Sequence, residues 1–182
     1  MGTEDTAVQL FYHGGKEELK EFYPEPIKIP WKFLYGETWW TQGMWFVTLD
    51  PKIKTPADMK GKRIGLGLRT QNDWGADARI FLETGYGITP KNADIRHLGP
   101  VAASEAMLDG KVDVVSMGMG TDAEFKNWMI AAPFKLLEAS GRKLYYIGID
   151  KEAIEKVNKR YKTTYQWVMV PKGTLKLIFD SL

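Results

Sequence analysis

The sequence predicts an α/β protein with a mostly parallel sheet and helices on both faces of that sheet. Short apolar runs alternate with segments whose apolar residues recur at helical spacing, and glycine or proline separates them. A chain that alternates strand and helix in this way builds parallel strands, because each helix crosses back over the sheet. With 182 residues, the chain is long enough for one substantial domain or two small lobes.

The first quarter of the chain contains three short apolar runs with polar connections between them. Ala7–Tyr12 predicts a strand, and Lys16–Phe22 predicts a charged helical turn that the prolines after it stop. Lys32–Tyr35 is a short apolar run before the polar and aromatic loop Gly36–Gly43. Met44–Leu49 is rich in β-branched and aromatic residues, which predicts a buried strand.

A helix start and a strand–helix–strand unit follow. Thr55 at the N-cap, Pro56 at the first helical position and an acidic residue two positions later are typical of a helix N-terminus. Arg63–Leu68 predicts a strand, Trp74–Thr84 a helix and Ile95–Leu98 a second strand. The apolar face of that helix is formed by Trp74, Ala78, Phe81 and Leu82.

The remaining chain continues the alternation as helix, strand, helix, strand, helix and strand. In that order the elements are Ala102–Leu108, Val112–Met117, Asp122–Ala131, Lys143–Ile149, Lys151–Tyr161 and Tyr165–Val170. Within the second of them, Val112–Val115 is apolar apart from Asp113, as expected of a buried parallel strand. The sequence contains no internal repeat and no low-complexity segment.

Composition excludes several classes of protein. The chain is 44% hydrophobic and 26% charged, and its net charge of +2 is spread over both signs without the basic stripe of a nucleic-acid binder. The absence of cysteine excludes disulfides, thiolate metal sites and cysteine nucleophiles. No apolar run approaches the ~18 residues of a membrane span.

Both ends of the chain have an unusual composition. The apolar runs TAVQLFY near the start and LKLIFDSL at the end predict a fragment of a longer protein, since natural termini are more often polar. The first residues also lack the basic region and apolar core of a signal peptide. We therefore expect a cytosolic chain, a mature form or a piece cut from a longer one.

Six segments together resemble a known group of proteins. Residues 56–67 read PADMKGKRIGLG, residues 85–88 read GYGI and residues 98–115 read LGPVAASEAMLDGKVDVV. Residues 34–48, 147–161 and 170–175 read LYGETWWTQGMWFVT, IGIDKEAIEKVNKRY and VPKGTL. This set, within Thr6 to Leu175, resembles the TAXI group, the solute receptors of TRAP transporters, which are periplasmic-binding proteins of the type II topology.

The resemblance implies two α/β lobes joined by crossover strands, with a small solute in the cleft between the lobes. It places a remnant of the first lobe and a crossover in residues 1–49, the second lobe in 50–164 and a truncated return crossover in 165–182. Met44–Leu49 and Tyr165–Val170 are the expected crossovers. The resemblance also implies an extracytoplasmic protein without a cofactor or catalytic activity, whose partners are membrane subunits of a transporter.

Ligands of open α/β sheets bind beyond the carboxyl ends of the strands, so the loops Leu68–Trp74 and Gly118–Asp122 are the candidate sites. Arg69 is predicted either to hold a solute carboxylate with its guanidinium or to be a solvated surface residue. The next four residues begin a helix whose free backbone amides attract an anion. They are Thr70, Gln71, Asn72 and Asp73. The alternative is that Asn72 or Asp73 is simply the N-cap, and the acidic Asp73 argues mildly against an anion there. In the family this turn is usually rich in glycine and serine or threonine.

Two further pairs of residues are candidates for solute contact. Gly118 allows close approach of a ligand to the backbone, and Thr121 is expected at the start of the next helix; the alternative is a simple strand–helix turn. Trp39 and Trp40 are expected to form an aromatic wall for a small molecule, or else to pack against the first lobe.

No catalytic or metal-binding pattern stands out. The two histidines, His13 and His97, have no acidic neighbours at metal-ligand spacing, and GLGLRT lacks the residues of a phosphate loop. The rival interpretations are an ABC-type receptor for sulfonates or pyrimidine precursors, an effector-binding domain of a transcription regulator, and an enzyme on the same fold. A helix-turn-helix upstream would favour the regulator, and adjacent genes for two membrane subunits would favour a TRAP receptor.

Overall fold

The computed structural model describes residues 10, 12–16, 19–28, 41–122 and 124–170. Within this part of the chain, six strands form one sheet. They are β1 (Thr41–Thr48), β2 (Arg63–Leu66), β3 (Asp94–His97), β4 (Val114–Thr121), β5 (Trp128–Ile130) and β6 (Tyr145–Ile147). Their order across the sheet is β3-β2-β4-β1-β6, and β5 also pairs with β4.

Four helices accompany the described strands. They are α1, built from π-helical Asn72–Asp77, α-helical Ala78–Ile80 and π-helical Phe81–Gly85, then α2 (Pro100–Leu108), α3 (Lys135–Ala139) and α4 (Lys151–Tyr161). Short 3-10 turns span Pro56–Met59 and Ala132–Phe134. The helix start predicted at Thr55 is confirmed as a capping box, because the Asp58 carboxylate accepts the Thr55 N–H at 2.9 Å.

The sheet is mixed, so the expectation of a mostly parallel sheet is wrong. β2 is parallel to β3 and to β4, and α1 and α2 are the crossover helices between these strands. β1 is antiparallel to both β4 and β6, and β5 is antiparallel to β4. The strands β2, β3 and β4, which follow one another through α1 and α2, are therefore paired in parallel. The pairs that involve β1, β5 or β6 are antiparallel, because no crossover helix joins the two strands of these pairs directly.

Asp122–Ala131 does not form the predicted helix. It forms the turn of a hairpin and strand β5, with Met119 opposite Ile130. The Asp122 carboxylate accepts the backbone N–H of Lys126 at 2.8 Å, which closes the turn. The apolar residues of this segment have the spacing of a helix. However, β4 extends beyond the end of β2, and its free edge pairs with β5. Local periodicity does not reveal such a pairing partner.

Tyr165–Val170 is not a strand either, and residues 162–170 have no regular secondary structure. The Asn158 side chain, on α4, accepts the Tyr165 N–H at 3.0 Å and donates to the Tyr165 carbonyl at 2.8 Å. These two bonds use the backbone groups that a sheet ladder would need. The predicted strand Ala7–Tyr12 is wrong where it is described, since Leu10 is helical and Tyr12 lies in a turn.

Helices cover both faces of the sheet, because side chains alternate along its strands. One face packs against α2 and α3 through a core of Trp45, Val47, Ala103, Met107, Val112, Val115, Met117, Met119, Ile130, Phe134 and Leu137. The other packs against α1 through Phe46, Ile53, Met59, Ile64, Leu66, Ala78, Leu82, Ile88, Val114 and Ile147. α4 lies outside α1, and the Ile154, Val157 and Tyr161 side chains contact Ile80 and Phe81.

β1 lies in the middle of this sheet, between β4 and β6. The division of the chain at residue 50 and the two-lobe arrangement stay predictions. No helix in the described ranges is both long enough and apolar enough to cross a membrane.

Candidate functional site

The candidate site lies where β4 extends beyond the end of its parallel neighbour β2. β2 pairs with β4 only at Ile64 and Gly65, whereas β4 continues to Thr121. The gap along the edge of β4, between the end of β2 and the start of β5, is filled by Trp74 from the first turn of α1. The Ser116 hydroxyl on β4 donates to the Trp74 carbonyl at 2.7 Å and fixes the backbone there.

A cleft of about 240 Å³ opens beside this gap. Most of its wall is apolar, and two glycines of β4 are among the residues that line it. Its lining residues are Trp74, Gly118, Met119, Gly120, Met129, Ile130, Ala131, Ala132 and Lys135. Lys135 is the charged side chain among these residues, and it is exposed. A small apolar pocket with few polar groups is the usual form of a ligand site.

Trp74 is held in the cleft by packing rather than by hydrogen bonds of its ring. A Cβ atom added at Gly118 would fall within 2.7 Å of the Trp74 Cε2 atom, so the indole sits directly on the glycine. The Phe134 ring packs edge-on against the indole, with a centroid distance of 5.5 Å. The buried indole N–H has no acceptor among the described residues. The ring position is therefore set by shape.

Hydrogen bonds within the loop before α1 hold its shape. The Gly67 N–H donates to the Trp74 carbonyl at 2.7 Å, and the Leu68 N–H donates to the Gln71 side-chain oxygen at 2.8 Å. Gln71, and neither of the two residues after it, is the N-cap of α1, so the expectation that Asn72 or Asp73 is the cap is wrong. The Gln71 side chain is used to shape the loop.

Arg69 pairs with a carboxylate of the chain itself. Its guanidinium donates to Glu21, while 59% of its side-chain surface stays exposed. Glu21 also lies 3.5 Å from Arg79, whose side chain is 8% exposed and pairs with Glu83 at 2.6 Å. A solute carboxylate at Arg69 would have to compete with Glu21. The assignment of Arg69 to ligand binding stays a prediction.

The other predicted contact residues are scattered. Asn72 accepts a hydrogen bond from the Tyr23 hydroxyl, Asp73 lies in the first turn of α1, and Thr70 is exposed on the loop. Thr121 is the last residue of β4 and not the start of a helix; its side chain is 1% exposed. The Thr121 hydroxyl has no partner among the described residues. All of these roles remain predictions.

Of the predicted site residues in the described ranges, the structure places Gly118 in the cleft. Trp39 and Trp40 lie outside the described residues. Met129 and Lys135, which also line the cleft, were not among the predicted contacts. Trp74 is the last residue of the candidate loop Leu68–Trp74, but the sequence predicts it on the apolar face of the helix rather than as a ligand contact. Met129 carries no local signal for this position because its apolar spacing predicts a helix rather than the hairpin, and no pattern in the sequence singles out Lys135.

His97 ends β3 beside the same loop. Its Nδ1 atom lies 2.8 Å from the Gly67 carbonyl, and its Nε2 atom is buried without a partner among the described residues. Burial lowers the pKa of His97, and the hydrogen bond to Gly67 raises it by less. Within the described ranges no group of three or more histidine, aspartate or glutamate side chains is placed to hold a metal ion.

Comparison with known families gives one match across most of the chain. The sequence model of the NMT1-like family matches residues 36–178. This range covers more than three quarters of the chain and includes all six strands, the four helices and the cleft.

Proposed function

Because the chain belongs to the NMT1-like family, which is periplasmic-binding-protein-like, we propose that it is the solute-binding subunit of a TRAP-type transporter. The family supports a solute-binding α/β fold and a small-molecule ligand. The finer assignment to the TAXI group rests on the sequence segments quoted above. In this proposal the ligand is a small carboxylate-bearing solute.

The observation that carries the proposal is the cleft at the carboxyl end of β4. It lies beyond the end of β2, where ligands of open α/β sheets are expected. Its lining is mostly apolar and includes Gly118 and Gly120 of β4, and the exposed Lys135 supplies a positive charge. An apolar cleft with one cation suits a small organic anion.

The protein would bind its solute and release it to membrane subunits of the transporter without changing it chemically. In this proposal the protein works outside the cytoplasm, and the cleft is completed by the other lobe expected from the resemblance. Closure of the two lobes around the solute would be the mechanism. These parts of the proposal extend beyond the coarser family assignment.

The test is a screen of organic acids and amino acids on the full chain by thermal shift and titration calorimetry. A ligand that binds the folded state alone stabilises it by about 2.7 kcal/mol at a hundred times its dissociation constant, so a true solute gives a clear rise in Tm. Saturable heat with unchanged solute afterwards is the expected result. Turnover of a substrate, with no stabilisation by any acid, would refute the proposal.

The genes next to the one encoding this chain test the transporter class separately. A TRAP receptor is expected beside genes for two membrane subunits. Genes for an ATPase and a permease would instead indicate an ABC-type receptor, with solute binding retained.

A further inference from the structure

We propose that the cleft selects short solutes with a single carboxylate, and that Trp74 sets their maximum length. Lys135 would hold the carboxylate, and the apolar part of the solute would lie along Gly118 and Met129 toward the indole. This inference rests on the proposed function, since it names the class of solute that the same cleft takes.

The charge of the lining favours one anionic group. Lys135 forms no ion pair with a residue in the described part of the chain, and no carboxylate appears among the described lining residues. The Glu138 carboxylate, three residues further along α3, interacts with Lys135 only through charge, so a solute carboxylate can pair with Lys135 without breaking a described ion pair. A second carboxylate would lie against methionine, isoleucine and alanine, where an unpaired charge is strongly disfavoured.

The volume that the described residues enclose suits a solute with a short chain. Liquid water occupies about 30 Å³ per molecule, so a cleft of about 240 Å³ has room for about eight groups of that size. This is below the ~300 Å³ at which drug-sized ligand pockets begin. A carboxylate followed by about five carbons fills this space.

Trp74 is the wall that fixes this limit. Its backbone carbonyl is held by the Ser116 hydroxyl, and its indole is packed between Gly118 and the Phe134 ring. The ring contributes the largest side chain of the lining, so truncation to alanine would lengthen the cleft while the backbone anchor stays. β4 contributes Gly118 and Gly120 to the lining, and glycines have no side chain that could take the place of the indole.

The experiment measures affinity for linear saturated monocarboxylates from propanoate to decanoate, with succinate and glutarate as matched dicarboxylates, by calorimetry on the full chain. For the wild type we expect affinity to peak near six carbons and to be at least about tenfold weaker for each dicarboxylate than for the monocarboxylate of the same length. In Trp74→Ala the peak should move to longer chains. Trp74→Phe, a smaller change that preserves an aromatic wall, should move it less.

Matched controls separate these effects from general damage. Trp167→Ala removes a tryptophan that is 44% exposed and does not line the cleft, and it should leave the preferred length unchanged. Lys135→Gln should weaken monocarboxylate binding at least about tenfold, and Lys135→Arg should retain most of it. Lys126→Gln removes a nearby exposed lysine that pairs with Glu124, and should have little effect. Circular dichroism checks that each variant is folded.

The possible failures are distinguishable. If the wild type binds no carboxylate at all, the proposed function itself fails. If the wild type binds carboxylates but takes dicarboxylates equally well, or if the folded Trp74→Ala and Trp74→Phe variants keep the wild-type preferred length, the inference is overturned and the proposed function stands. Should Trp74→Ala not fold, Trp74→Phe decides the question by the same criterion.

Discussion

Gly118 and Trp74 show how one small side chain and one large one create the cleft together. The indole occupies the space over Gly118 that any other residue would fill with its Cβ atom. Neither residue is informative alone, because a glycine after a strand and a tryptophan at a helix start are both common. The two residues come into contact because α1 packs against the edge of β4.

Replacing Gly118 with alanine should destabilise the protein. The added Cβ falls within 3.0 Å of three atoms of the indole, so the ring or the strand has to move. Overpacking of this kind costs about 1–3 kcal/mol, which lowers the Tm of a chain of this size by about 2–4 °C per kcal/mol. Gly148→Ala is the control, since its added Cβ meets nothing within 4 Å. Equal Tm values for the two variants would contradict the packing described for Trp74.

Asp113 interrupts the apolar run Val112–Val115, and its contacts with Arg63 explain why a carboxylate is placed there. The Arg63 guanidinium donates to both Asp113 carboxylate oxygens, at 3.0 and 2.5 Å, and the Arg63 backbone N–H donates at 2.9 Å. These hydrogen bonds, together with the charge of Arg63, hold the pKa of Asp113 below its ordinary value of 3.8. The pair joins the start of β2 to the residue before β4.

The Asp113→Asn variant should lose stability at neutral pH and approach the wild type in acid. A carboxylate whose pKa is lowered by folding stabilises the native state above its ordinary value of 3.8, and that contribution is lost as pH falls through the lower folded value. Thermal unfolding measured from pH 7 to pH 2 checks this. Asp94→Asn should show a smaller difference, because the Asp94 side chain is 50% exposed whereas that of Asp113 is 27% exposed. A pH-independent difference for Asp113→Asn would contradict the assignment.

At the scale of elements, the β4–β5 hairpin is the feature that local sequence patterns misrepresent. Asp122 closes its turn by accepting hydrogen bonds from the backbone of Lys126 and the side chain of Asn127, at 2.8 and 2.5 Å. Phe125 in the same turn has a φ of 55°, a left-handed conformation that a helix does not contain. The geometry of this turn and the free edge of β4 favour a hairpin, although the spacing of the apolar residues is that of a helix.

The Asp122→Ala variant should loosen this hairpin while the rest of the sheet stays protected. Removal of the carboxylate leaves the turn amides without their acceptor, which favours local opening. Amide hydrogen exchange of residues 119–121 and 128–130 should become faster, whereas residues 64–66 should be unchanged. Glu124→Ala, in the same turn with its side chain 69% exposed, is the control. If exchange at the hairpin is unaffected, the turn does not depend on Asp122.

α4 is the element that the sequence predicted most accurately, with both ends at the observed residues. Its apolar stripe packs on α1, where Val157 and Tyr161 are fully buried. Val157→Ala should cost about 2 kcal/mol, because two buried methyl groups are lost and a small cavity remains. Lys159→Ala, on the exposed side of the helix, should change the free energy of unfolding by less than about 0.5 kcal/mol. Chemical denaturation of both variants tests whether α4 is docked as described.

At the scale of the whole molecule, β4 connects the two faces of the sheet. Val114 belongs to the core that packs on α1, and its neighbour Val115 belongs to the core under α2 and α3. β1 lies beside β4 over eight paired positions, from Thr41 to Thr48. The part of the chain predicted as a remnant of another lobe therefore supplies a central strand of this sheet.

We expect the chain to unfold in a single cooperative transition. Loss of β1 would break the pairing of both β4 and β6, so the segment before residue 50 cannot leave the sheet independently. Far-ultraviolet circular dichroism and tryptophan fluorescence should give the same midpoint in urea. Two separate transitions would contradict this expectation and would favour the division of the chain at residue 50.

The sequence by itself determined the α/β class, the β2–α1–β3–α2–β4 series, the capping box at Thr55 and the bounds of α4. These features depend on periodicity, caps and glycine or proline punctuation, which act over a few residues. The tertiary structure decided the antiparallel direction of β1, the hairpin at Asp122, and the cleft formed by Trp74 and Gly118. Each depends on pairing or packing between segments far apart in the chain, and such partners leave no local pattern in the residues that meet.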